Sequence, residues 1–129
     1  MDAMGQTAGG PQRNEAKPAV VAKAALSIEA AELLFRSVLA DVMSHRNTAS
    51  FTTRSSWMSR LSHGVFMCRE AAQDILSVTG ASGGSLDNPI QQAVRDLTTG
   101  ANHIIFDREL RYADYGRILL DQPVQNPMA

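Results

Sequence analysis

The sequence has one cysteine, two lysines, few aromatics and no long apolar run. A single cysteine, Cys68, rules out an internal disulfide and fits a reducing, cytoplasmic setting. Cys68 falls inside an apolar helical pattern, so it is expected as a buried, inert thiol rather than a nucleophile. No stretch approaches the roughly 20 apolar residues that cross a bilayer. The N-terminus lacks an apolar segment behind a basic start, so no signal peptide is expected. The net charge of −1 and the absence of a basic run interleaved with aromatics argue against nucleic acid. His45, His63 and His103 lack the His-x-x-x-His or Glu-x-x-His spacing of metal ligands, so no metal is expected. No segment alternates as a strand, no hairpin signal occurs and no repeat is visible.

What is present is helical periodicity. A chain of 129 residues implies one domain. Residues 1–20, with Gly5, Gly9, Gly10, Pro11 and Pro18, read as a flexible tail. From Ala22, residues Ala25, Ile28, Ala31, Phe35, Val38, Leu39 and Val42 predict a helix to about Ser44. Leu33, Leu34 and Phe35 widen its apolar stripe, so a second copy or a larger partner is expected to cover part of it. Ser50 or Thr52 can cap a second helix from about Thr53 to Thr79. Gly64 in its middle costs about 1 kcal/mol against alanine, which a close helix crossing would offset.

Gly80 then stops that helix, with Gly83 and Gly84 behind it. Asp87 or Asn88 and Pro89 start a third helix to about Thr99, and a fourth is predicted over about Ile104 to Leu120. The prediction is all-α, an antiparallel four-helix bundle over residues 21–120, with 121–129 as a frayed tail.

His103 falls at the junction of the third and fourth helices. It reads either as an acid–base group or as a capping or surface residue. His63 reads as a surface or interface residue, and His45 as a helix-ending cation. Arg95 and Asp96 read as a cofactor clamp or as an ordinary ion pair. Gly83-Gly84 follows no strand, so it carries no dinucleotide fingerprint, and Ser82 and Ser85 have no nucleophile elbow around them. Tyr112 and Tyr115 share a face of the last helix and can line a substrate pocket. Arg54, Arg60, Arg69, Arg108, Arg111 and Arg117 suit carboxylate or phosphate contacts, and most are expected in intersubunit ion pairs.

As an ordered set, the glycine loop, Asn88-Pro89, Arg95-Asp96, a break, and Tyr115-Gly116-Arg117-Ile118-Leu119-Leu120 resembles the C-terminal helical domain of acyl-CoA dehydrogenase-fold flavoproteins. It resembles most the flavin-dependent monooxygenases, which hydroxylate aromatic and polyketide substrates. The resemblance covers residues 22–120 and implies that His103 lies beside the reactive flavin edge as catalytic residue. It implies that Gly83, Gly84, Arg95 and Asp96 shape the flavin site or the subunit contact. The dehydrogenases place a catalytic carboxylate in this region, but the first acidic residue after the break is Asp107. The N-terminal helical domain and β-domain of these enzymes have no counterpart here. The resemblance therefore implies a homo-oligomer, with reduced flavin (FMN or FAD) held only together with a longer flavoprotein partner chain. A flavin-independent isomerase or cyclase using a pocket between the helices, and a non-catalytic assembly module, are the alternatives.

Overall fold

The computed structural model describes residues 10–79, 89–102 and 107–124, with side chains from Lys17 onward. Among these residues every element is helical: α1 (Gly10–His45), α2 (Phe51–Val78), α3 (Pro89–Ala101) and α4 (Arg108–Leu119). The predicted all-α class and helix order hold. The boundaries differ at two places. Residues 10–20, expected as part of the tail, belong to α1. Pro18 lies inside that helix. It removes one backbone hydrogen bond, an interruption that normally costs about 3 kcal/mol, while alanines at 16, 19, 22, 24 and 25 favour the helix around it. At the other boundary, α4 begins at Arg108 rather than Ile104. Asp107 is its N-cap, with the carboxylate accepting from Leu110 N at 3.2 Å.

Ser50 caps α2, its Oγ accepting from Thr53 N at 3.0 Å. The turn over 46–50 is too short for anything but an antiparallel return. The side-chain contacts give the register: Phe35 meets Gly64, and Arg60 reaches Ser37 and Asp41. Between α2 and α4 the order also reverses, because Ser55 meets Asp114 whereas Phe66 meets Arg108. α2 packs against all three other helices, and the remaining pairs meet only marginally.

The core is made largely of small residues. On α1, Ala24, Ala31 and Val38 are buried at seven-residue spacing. Ile28 and Leu39, predicted as core, are instead 44% and 60% exposed. α1 has one substantial neighbour, so only the seam facing α2 is covered. On α2, Ser55, Ser59, Ser62 and Phe66 lie on the side of α4, while Trp57, Gly64, Ala71 and Ala72 complete the buried set. Small residues let helix axes approach closely but bury little apolar area each.

Gly64 shows the close crossing that its position implied. A Cβ there would stand 2.5 Å from Cε1 and 2.8 Å from Cζ of Phe35. The ring packs on bare backbone, and the contact offsets the low helix propensity of glycine. Gly64→Ala is therefore expected to lower the melting temperature of the native chain. In a Phe35→Leu background the same substitution is expected to raise it, because the propensity gain of about 1 kcal/mol is then unopposed. Thermal denaturation of the four chains, followed by circular dichroism, checks the reversal.

Candidate functional site

Two structural features meet on the α2–α4 side of the bundle: a buried polar cluster and an open pocket. The cluster is built from positions where α4 turns its charged residues inward. Arg111 and Asp114, three apart on one face of α4, are 0% and 1% exposed. They pack against the serine face of α2. Ser59 Oγ lies 2.9 Å from the carbonyl oxygen of Arg111 and 3.0 Å from that of Ser55, so its single proton serves both. Ser55 Oγ donates to Asp114 Oδ2 at 3.5 Å, and Arg117 NH1 donates to Asp114 Oδ1 at 3.3 Å. Burial pulls the Arg111 guanidinium below its ordinary pKa, while the charges of Asp114 and Asp107 oppose that pull.

The pocket has a volume of about 300 Å³ and is lined by Leu34 of α1, Ser59, Arg60 and His63 of α2, and Tyr112 and Tyr115 of α4. His63 Nδ1 and the Tyr112 hydroxyl are 2.7 Å apart, with ring centroids separated by 5.8 Å. Arg60 is committed within the chain. Its NH1 donates to Ser37 Oγ at 3.0 Å and its NH2 to Asp41 Oδ2 at 2.9 Å. That hydrogen bond holds the Asp41 carboxyl below its usual value, against a smaller opposing effect of desolvation. A second pocket of about 300 Å³ lies at the α1–α2 turn, lined by Asp41, His45, Thr48, Ala49 and Thr53.

The residues named from sequence divide into three groups. Tyr112 and Tyr115 line one pocket together. Arg95 and Asp96 are exposed on α3, make no ion pair to a described residue and line neither pocket. His103, Gly83 and Gly84 lie outside the described residues, as does the start of the third helix at Asp87 or Asn88. The arginines, expected mostly between subunits, are largely satisfied inside the chain. Arg60 and Arg117 form ion pairs, Arg54 donates to Ala49 O, Arg111 is buried, and Arg69 and Arg108 flank Phe66 with Cζ at 4.8 and 4.6 Å from its centroid. Cys68 is half-buried and desolvation raises its pKa, which keeps the thiol protonated and poorly nucleophilic. Among the described residues no three His, Cys, Asp or Glu side chains converge as a metal site, and no helix is long and apolar enough to cross a membrane.

Residues 7–108 match the family model of the acyl-CoA dehydrogenase C-terminal domain. The chain belongs to this family of helical domains, whose acyl-CoA dehydrogenases use FAD. No curated protein and no solved structure matches the chain. The described residues of one chain do not fit a complete flavin site. Arg95 and Asp96 stand on an open surface, and pockets of about 300 Å³ lie at the small end of the range for small-molecule sites, well short of a flavin dinucleotide.

The buried pair is the part of this region most exposed to mutation. Asp114→Ala takes the carboxylate from Arg117 and Ser55 and removes the nearby negative charge that opposes the desolvation of Arg111, and the expected loss is about 3 kcal/mol of unfolding free energy. Ser55→Ala, which removes one long hydrogen bond, is expected to cost about 1 kcal/mol. Urea denaturation of the two variants checks the ordering.

Proposed function

We propose that this chain is a small component of a flavin-dependent monooxygenase-like system that hydroxylates an aromatic or polyketide-type substrate. In this reading the flavin, FMN or FAD, is held jointly with a longer flavoprotein chain. The observation that carries the proposal is membership of the acyl-CoA dehydrogenase C-terminal domain family over residues 7–108. The monooxygenase branch is favoured by the chemistry after α3. Asp107, the first acidic residue beyond the break, is committed to capping α4 through Leu110 N. It is therefore a poor stand-in for a dehydrogenase's catalytic carboxylate. His103 is the candidate catalytic residue of the shared site, with Gly83, Gly84, Arg95 and Asp96 as its candidate flavin-side neighbours. Arg95 and Asp96, exposed and without ion-pair partners among the described residues, suit contacts with another chain.

Self-association belongs to the same reading. The outward face of α1 carries Leu26 and Leu33, seven residues apart and 65% and 62% exposed. Leu39 and Met43 are exposed by 60% and 64% along the same helix. Apolar side chains so arranged are stabilised by a covering surface, and a second α1 offers one of matching length and composition.

Affinity purification of the chain from its native cells tests the first part. A yellow complex with a longer chain is expected, and His103→Ala is expected to keep the complex while lowering turnover. A colourless preparation with no co-purifying flavoprotein would overturn the flavin reading. The self-association is checked by light scattering on the purified chain. The native sequence is expected as an oligomer, and Leu26→Asp with Leu33→Asp as a monomer of unchanged helicity.

A further inference from the structure

We infer that the pocket between α1, α2 and α4 is a binding site for a small, flat aromatic molecule bearing a carbonyl or phenolic oxygen, with that oxygen held by the His63–Tyr112 pair. The walls set the first half of this assignment. Leu34 supplies an aliphatic surface, while Tyr112, Tyr115 and His63 supply rings. Planar side chains that can stack or meet a ring edge-on favour a planar guest. The volume of about 300 Å³ is at the small end of ligand pockets, which suits one or two fused rings.

The polar groups set the second half. Ser59 spends its proton on backbone carbonyls, and Arg60 is bound to Asp41 and Ser37. The Asp41 carboxylate already neutralises the Arg60 charge, so the site offers no unpaired cation to select a carboxylate or phosphate. The 2.7 Å contact between His63 Nδ1 and Tyr112 OH remains. With the imidazole neutral, the pair shares one proton in either of two ways. If the hydroxyl donates to Nδ1, Nε2 carries a hydrogen and no described residue accepts it. If Nδ1 carries the hydrogen and donates to the phenolic oxygen, the Tyr112 O–H is released to donate elsewhere. Both arrangements offer one donor to a guest, and a ligand oxygen is the acceptor that completes it. Tyr115 OH also makes no hydrogen bond to a described residue and adds a second contact at the rim. The site is held rigidly, because Ser59 and Tyr112 flank the buried attachment of α4 through Arg111.

This assignment needs neither flavin nor a second chain, so it stands or falls apart from the monooxygenase reading. The test is a titration of the purified, colourless full-length chain with 2-naphthol, followed by amide and imidazole NMR shifts. The expected result is saturable change confined to α1, α2 and α4 around the pocket. Of Tyr112→Phe and His63→Ala, the one that removes the group donating to the guest is expected to weaken binding about five- to tenfold, as loss of one hydrogen bond does, and so identifies the arrangement. The double variant is expected to bind at least as weakly as the weaker single one, because only it removes both groups that can donate to the guest. Leu34→Trp, which fills the pocket, is expected to abolish saturation. Absence of saturable shifts up to the solubility of 2-naphthol would overturn the site. Equal affinity of the native chain and the double His63→Ala, Tyr112→Phe variant would overturn the role of the pair.

Discussion

The arrangement rests on α2 meeting α4 through a polar seam. Three serines of α2 are buried on the side of α4, and α4 answers with Arg111 and Asp114. Such a seam adds little apolar burial. Its worth lies in register. A guanidinium and a carboxylate closed off from water tolerate only placements in which each meets its partner. A slide of α4 by one turn would leave both charges facing serines one step out of place. That fixed register presents Tyr112 to His63 and Tyr115 to the same pocket. The geometry of the pocket is thus a by-product of where the buried pair locks.

The α1 side is held differently. There, Ala24, Ala31 and Val38 make a narrow seam, and the Phe35 ring lies on Gly64. Contact comes from closeness rather than from large interdigitating side chains. Much of the apolar surface of α1 stays outside, which the chain shares with helices that finish their burial in an assembly. Family membership and the exposed face of α1 therefore point the same way. In the proposed reading the domain is one part of a larger assembly, and the flavin belongs to that assembly.

Helix type and order were legible in the sequence because periodicity, the cap at Ser50 and the proline at position 89 are local signals. So was the crossing at Gly64, since a glycine inside a strong helical pattern needs a neighbour to justify it. The family was legible from an ordered set of short motifs. The width of the α1 seam was not. Periodicity marks apolar positions, and Ile28 and Leu39 scored as core although only one helix lies against α1. His63 was read as surface, and by exposure it is largely that. Its contact with Tyr112 joins residues 49 apart, and no spacing rule reaches that far. Arg111 was read with the arginines expected between subunits and Asp114 was not singled out, because charge on a short helix gives no sign of which face will be closed.

The register of α1 against α2 gives Pro18 its meaning. Phe35 stands opposite Gly64, and the chains run in opposite directions, so the last residue of α2, Val78, falls opposite about residue 21 of α1. The turns before that point extend past the end of α2. A proline there breaks the backbone ladder where α2 offers nothing to brace. A change of direction at Pro18 leaves the Phe35–Gly64 crossing and the bridge from Arg60 to Asp41 untouched. The leading turns of α1 thus stand beyond the bundle's bracing, like an outrigger, and a substitution there leaves the helix crossing that holds the bundle untouched.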